Sequence, residues 1–264
     1  GSAVFMDING DSTPDIFIGG RWAEFIAVDG ATGKKIWAFY SQRKTIDGSD
    51  GGWFNFTTPQ IVPDQDNDGI TDLIVANGGD ARAAPFDAKR PAGKVLVISS
   101  KTGKLLAEAS VPDGKETYMS VICQKTKNDL DVFVGTGGET FGGHLYKTTL
   151  SAIMQGNISE ATVLASSESK GFISSPVLAD LDRDGVKDII INAVDGRMLA
   201  INGSTDSLLW QVKLDSTEAY TIPAVGMFNN DSTPDVFANF AIGTFPKLNY
   251  SVRFMIDGKT GAFI

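Results

Sequence analysis

The sequence predicts an all-β fold: a β-propeller of about five four-stranded blades, or part of a larger propeller. Three observations predict it. Short apolar runs are punctuated by 29 glycines and 10 prolines. An acidic loop recurs five times, and a second signature ending in a Thr-Gly turn recurs in step with it.

The acidic loops end at Asp15, Asp72, Asp131, Asp188 and Asp235, spaced by 57, 59, 57 and 47 residues. Each is followed by an apolar run such as Leu73-Ile74-Val75 or Ile189-Ile190-Ile191. The second signature is clearest in Ala27-Val28-Asp29-Gly30-Ala31-Thr32-Gly33-Lys34-Lys35-Ile36-Trp37. It returns at residues 97–104, at 200–210 ending on Trp210, and at 255–261; the middle copy near Gly143-His144-Leu145-Tyr146 keeps only the strand. An apolar strand, a tight Asp/Thr/Gly turn and a second apolar strand make a β-hairpin. Each repeat therefore holds four strands, one before the acidic loop, one after it and two around the turn. The single propeller domain over 1–264 divides into blades at about 3–53, 54–118, 119–171, 172–221 and 222–264. A β-sandwich with coincidental acidic turns is the bland alternative, opposed by two motifs repeating in register.

Hydrophobic residues make up 42% and charged residues 21%, enough apolar content for a sizeable core. The net charge of −9 is concentrated in short loops, and no basic run recommends a nucleic-acid partner. Cys123 is the only cysteine, which excludes an intrachain disulfide and thiolate metal sites. No stretch reaches the roughly 18 apolar residues of a membrane span, so no membrane insertion is expected. The chain reads as a mature or trimmed product.

The pattern Asp-x-Asp-x-Asp-Gly-x-x-Asp occurs without a flaw at Asp64, Asp66, Asp68 and Asp72, and at Asp180, Asp182, Asp184 and Asp188. Calcium takes six to eight hard oxygens in a flexible shell. Carboxylates at positions 1, 3, 5 and 9 of a curled loop, with the carbonyl of position 7 (Ile70, Val186), supply such a shell. Gly69 and Gly185 stand where the chain must turn, at expected positive φ. An EF-hand reading fails, because position 12 is Val75 or Ile191 inside a strand rather than a glutamate. A third loop, Asp7, Asn9, Asp11, Thr13 and Asp15, keeps the oxygen donors with Ser12 in the glycine's place. A weak fourth site is expected at Asn229, Asp231 and Asp235, where Met227 takes position 1. The loop ending at Asp131 carries Lys125 and Lys127 and is expected to be empty, with a lysine standing in for the ion. About three Ca2+ ions are thus predicted. Solvated acidic turns are the plain alternative, disfavoured by the repulsion among four close carboxylates.

Acidic loop, β-strand and glycine, repeated unit after unit, resemble the FG-GAP repeats of integrin α-subunit propellers and of many secreted bacterial proteins. The resemblance implies calcium between the first two strands of each blade. The turn signature with Trp37 and Trp210 looks like the tryptophan-docking motif of quinoprotein propellers, which implies a packing role for those indoles. Those enzymes resemble eight-bladed chains, often with a disulfide near the cofactor, and a five-unit chain with one cysteine departs from both features.

Calcium loops of modest affinity fill where free calcium is near millimolar, which predicts an extracellular, cell-surface or periplasmic address. The expected role is a non-catalytic recognition, adhesion or scaffold module for an extracellular protein or glycan ligand, alone or beside other domains of a longer parent chain. Ligand-face candidates are Trp22, Trp53, Phe54, Phe56 and Arg82, in the connections over 41–58 and 78–93 and near the second strand's end. The alternative for the aromatics is that they pack onto the blades. His144 is the sole histidine, so a Ser-His-Asp site would have to pass through it. The enzymatic alternative is a quinoprotein dehydrogenase fragment or a propeller-type polysaccharide lyase or hydrolase.

Overall fold

The computed structural model describes residues 1–20, 24–40, 54–80 and 83–264, without the side chains of Tyr40 and Phe54. Strands dominate and form five antiparallel sheets in chain order. The first sheet holds β1 (Val4–Met6), β2 (Asp15–Gly19), β3 (Glu24–Val28) and β4 (Lys35–Tyr40). The second holds β5 (Phe54–Phe56) and β6 (Gln60–Val62), which pair one after the other along the same edge of β7 (Asp72–Asp80), followed by β8 (Lys94–Ile98) and β9 (Leu105–Ser110). The third holds β10 (Ile122–Lys125), β11 (Leu130–Gly135), β12 (Gly143–Thr149) and β13 (Thr162–Ser167). The fourth holds β14 (Val177–Ala179), β15 (Asp188–Ala193), β16 (Arg197–Ile201) and β17 (Leu208–Lys213). In the fifth, β18 (Thr217–Glu218) and β19 (Ala224–Gly226) share one edge of β20 (Asp235–Thr244), and β21 (Lys247–Ile256) takes the other.

Three details depart from the sequence expectation. The opening strand of the second and fifth sheets is broken in two. The last strand of the fifth is reduced to a bridge between Ile256 and Phe263. In the third sheet a short helix, α1 (Leu150–Met154), replaces the Thr-Gly turn, with Thr149 Oγ1 accepting from the Ala152 N–H at 3.2 Å.

The chain separates into two compact units, Gly1–Thr136 with Tyr146–Thr162, and Gly137–Leu145 with Val163–Ile264. In the first unit β7 is buried on both faces, which is why its sequence is a continuous apolar run rather than an alternating one. Leu73 and Val75 join Phe17, Phe25 and Phe56 in one cluster, while Ile74 and Ala76 join Val132, Val134 and Ile153 in another. In the second unit Ile190, Met198 and Trp210 pack with Val236, Phe240 and Ile256. Each such fully buried Leu or Ile contributes about 1.5–3 kcal/mol.

Two latches hold the hairpins in place. The Trp37 indole donates from Nε1 to Ser100 O at 2.7 Å, and Trp210 donates to Gly258 O at 2.7 Å. Hydroxyls ahead of β6, β10, β14 and β19 bond to carbonyls of the second strand of the same sheet. They are Thr57 to Ala76 at 3.3 Å, Thr117 to Gly135 at 2.6 Å, Ser174 to Asn192 at 3.0 Å and Thr221 to Asn239 at 3.4 Å. The sequence signal for this latch is a Ser or Thr three residues ahead of the strand in three of the four cases.

Candidate metal centre

The acidic loops are shaped by their own carboxylates. Asp64 accepts from the N–H groups of Asp66, Asn67 and Gly69 at 3.1, 2.7 and 2.8 Å, winding the chain around its first residue. Asp180 does the same with Arg183 and Gly185 at 2.7 and 3.1 Å, and Asp7 with Asn9, Gly10 and Ser12 at 3.2, 2.8 and 2.8 Å. The winding needs left-handed backbone, and Gly69 and Gly185 both adopt φ 88. Ser12, in the glycine's place, still takes φ 69. Asp11, Asp68 and Asp184 accept from the N–H of Thr13, Ile70 and Val186 at 2.7, 2.9 and 2.7 Å, fixing the seventh residue of each loop.

The loop's last aspartate is its anchor. Asp15, Asp72, Asp188 and Asp235 are wholly buried at the start of the second strand. One oxygen of each accepts a loop N–H, from Ile8, Gln65, Leu181 or Phe228, at 3.0, 2.7, 2.7 and 2.8 Å. The other accepts from the Thr-Gly turn, at Gly30, Ser100, Gly203 or Gly258, at 3.1, 3.3, 2.9 and 3.2 Å. Loop and turn are therefore clamped together by one carboxylate. Sequence alone had given this residue only a ligand role.

In two loops the carboxylates converge. Oxygens of Asp64, Asp66 and Asp72 lie within 4.8 Å of one another, as do those of Asp180, Asp182 and Asp188. Burial pushes the Asp72 and Asp188 carboxyls above their ordinary value, and the neighbouring loop acids push the same way. The Gly69 N–H holds Asp64, and the Gly10 N–H holds Asp7, below that value. A tight acidic trio with its innermost member buried fits a hard divalent cation, which offsets repulsion that the protein leaves in place. Asp68 and Asp184 stand outside these trios. Lys101 Nζ is 3.9 Å from Asp68 Oδ2, and Ser204 Oγ bonds to Asp184 at 2.5 Å.

The first and fifth loops are built differently. Asn9 Nδ2 reaches Asp15 and Asp29, each at 3.4 Å, and Asn229 Nδ2 reaches Asp235 and Asp257 at 3.1 and 3.0 Å. The third loop is a tight turn: β10 and β11 stay in register to Lys125 and Leu130, and the Thr126 N–H bonds to Asp129 O at 2.9 Å. Lys125 and Lys127 line a cleft of about 440 Å³ with Asp129, whereas Asp131 lines a different one, of about 210 Å³, with Lys147.

Among the ligand-face candidates, Phe56 is a core residue. It is 2% exposed, stacked on Phe25 at 5.7 Å and edge-on to Phe39 at 5.8 Å. The alternation along β5 carries it inward, where the aromatic cluster of the first two sheets buries it. Phe54 lies in β5, its side chain outside the described residues, as are Trp22, Trp53 and Arg82 altogether. Arg90, in the same connection as Arg82, pairs with buried Glu116 at 3.2 Å. His144 sits in β12 with Nδ1 2.8 Å from Ser166 Oγ on β13. Among the described residues no helix is long and apolar enough to cross a membrane.

No family model matches the chain, and no curated protein matches it. Solved structures do. A europium-containing methanol dehydrogenase aligns over 99% of this chain and 60% of its own, at 12% identity and TM-score 0.64. A quinohemoprotein alcohol dehydrogenase from Pseudomonas putida HK5 aligns over 94% and 50%, at 13% identity and TM-score 0.61. The rhamnogalacturonan lyase YesW aligns over 99% and 49%, at 13% and 0.54, and BBS1N, solved in complex with ARL6DN, over 99% and 77%, at 10% and 0.54. The chain thus spans 60% and half of the two dehydrogenases. Identities this low speak to architecture alone, and together with the four-stranded sheets they make the fold a β-propeller of several blades.

Proposed function

We propose that this chain is a calcium-stabilised propeller module working outside the cytosol, where it recognises a glycan or protein ligand or serves as a scaffold. The observation that carries the reading is the pair of converging carboxylate trios, Asp64/Asp66/Asp72 and Asp180/Asp182/Asp188. Asp7, Asn9, Asp11 and Asp15 form a third candidate centre, and Asn229, Asp231 and Asp235 a weak fourth. Calcium loops between the first two strands of a sheet also support kinship with the FG-GAP propellers. Filling such loops requires calcium near millimolar, hence the proposed extracellular, cell-surface or periplasmic location. BBS1N in complex with ARL6DN is a structural neighbour that engages a protein, which supports recognition.

Calcium in this scheme stabilises the blades and takes no chemical part. Binding of purified, calcium-loaded protein to glycan and matrix-protein arrays tests the reading. Specific binding is expected. Failure to bind, with turnover of uronic-acid polymers or uptake of a quinone, would move the assignment to the enzymes among the neighbours.

A further inference from the structure

Within each unit the sheets stack by one rule. The residues one and three places past the anchor aspartate, with their partners on the next strand, pack against the sheet that precedes them in the chain. In the second sheet these are Leu73 and Val75, paired with Ile98 and Leu96, in one cluster with Phe17, Phe25 and Ala27 of the first sheet. In the third, Val132 and Val134 lie with Ile74 and Val97 of the second. In the fifth they are Val236 and Ala238, paired with Ile256 and Phe254, packed with Ile190, Ala200 and Trp210 of the fourth. The same positions of the first sheet are Ile16 and Ile18, paired with Val28 and Ile26. Here Ile18 is 36% exposed and the other three are half-buried, whereas their four counterparts in the second sheet are at most 2% exposed.

The indoles follow the same order. Trp37 of the first sheet bonds to Ser100 O and lies 2.7 Å from the place of a Cβ on Gly103, both in the turn of the second sheet. Trp210 of the fourth bonds to Gly258 O and lies 3.0 Å from the place of a Cβ on Gly261, in the turn of the fifth. Each tryptophan stands four residues past the left-handed residue of its own turn, Gly33 at φ 71 or Asp206 at φ 60. The first sheet carries the receiving half of this contact. Gly30 stands in its turn where Ser100 and Gly258 stand in theirs, and among the described residues no atom lies within 4 Å of a Cβ on Gly33. An apolar strip beside an open glycine is what the second and fifth sheets present to the sheet before them. Such a strip left in water marks an interaction surface.

We propose that Ile16, Ile18, Ile26 and Val28, with the turn from Gly30 to Gly33, form the docking surface for a further blade of the same repeat. That blade lies ahead of the first sheet in the same polypeptide and carries a tryptophan four residues past its Thr-Gly turn. Its indole donates to Gly30 O and covers Gly33, and its apolar face buries the four β-branched side chains. A second copy of this chain does not supply that indole from Trp37 or Trp210, because each is already bonded within its own unit.

Urea unfolding of the whole chain, with and without an added blade, tests it. The added blade is a second copy of residues 172–220, which carry Trp210, joined ahead of Gly1. The junction keeps the spacing, because Val4 pairs with Phe17 as Ala224 pairs with Phe237. The unfolding midpoint is expected to rise. Gly33→Ala, which costs the unaltered chain less than Gly103→Ala does, should cost the extended chain as much. Trp210→Ala in the added copy alone should cancel the gain, and Ile18→Asp should cancel it while moving the unaltered chain far less. An extended chain that gains nothing or does not fold, or whose gain survives Trp210→Ala, overturns the proposal. So does a loss for Gly33→Ala in the unaltered chain as large as for Gly103→Ala, since an indole of the chain itself would then fill the slot. Sedimentation of the unaltered chain is expected to show a monomer. A dimer that Ile18→Asp dissolves would give the face to a second copy and overturn the assignment of a preceding blade.

Discussion

The indole of Trp37 crowds the position that a Cβ on Gly103 would take, with Cδ2 2.7 Å from it, while its Nε1 bonds to Ser100 O. Trp210 repeats the arrangement over Gly261 at 3.0 Å. Gly33, at the matching place in the first sheet, has the same φ of 71 as Gly103, but among the described residues no atom lies within 4 Å of a Cβ there.

The three glycines therefore separate backbone strain from steric clash. Gly33→Ala should lower stability by about 1 kcal/mol, the cost of a side chain at left-handed φ. Gly103→Ala and Gly261→Ala should each cost about 1–3 kcal/mol more, because the indole must move. Urea denaturation of the three variants measures the difference. Equal losses would mean that the tryptophans do not lock the turns.

Chelation should lower the melting temperature. With a dissociation constant near ~0.1 mM and calcium at ~1 mM, each occupied centre adds about 1.4 kcal/mol, so two or three add about 3–4. Asp66→Ala and Asp182→Ala should each abolish one binding event, and Lys125→Ala should leave the stoichiometry unaltered. An unchanged melt in chelator would remove the stabilising role.

The calcium effect should fade on acidification from the buried anchors first. Asp72 and Asp188 are raised above the ordinary 3.8, so without metal their contribution is most favourable below 3.8 and is lost as pH rises through the folded value. Asp64 and Asp7 are lowered, so theirs is present above 3.8 and lost as pH falls through the folded value. Protons and calcium compete at Asp72 and Asp188. The calcium-dependent rise in melting temperature is thus expected to decline while pH is still above 3.8. A rise that holds steady down to that value in a pH series of paired melts would contradict the assignment of these two residues as ligands.

Phe56→Ala should destabilise the fold by about 3–5 kcal/mol, as for other buried aromatics. An effect on ligand binding with unaltered stability would return Phe56 to the ligand face.

Lys170 Nζ is 2.6 Å from Oε1 of Glu218, whose carboxylate is buried and also bonds to the Tyr220 hydroxyl and the Phe245 N–H. Lys170→Met leaves that carboxylate without its ammonium partner, and a loss of about 3–5 kcal/mol in thermal or urea unfolding is expected. A change below about 0.5 kcal/mol would show the pair to be screened by water.

The repeat and the loop chemistry were legible in the sequence because both are local. A carboxylate at every second position followed by glycine winds up around its own first residue, whatever surrounds it, and an apolar run such as Leu73-Ile74-Val75 announces a strand covered on both faces. What sequence could not decide depends on which atoms meet across tens of residues. Phe54 and Phe56 look alike in a glycine-rich stretch, and only the cluster around Phe25 and Phe39 puts Phe56 inside. The acid of the third repeat falls at the expected spacing, yet the pairing of Lys125 with Leu130 closes the hairpin early and leaves no loop to wind. Asp29 reads as an ordinary turn residue until its second oxygen is found beside Asn9. Local pattern determined that the chain makes blades and acidic loops; tertiary contact decided which acids converge, because a carboxylate's charge is felt over a few ångströms and sequence distance does not measure that.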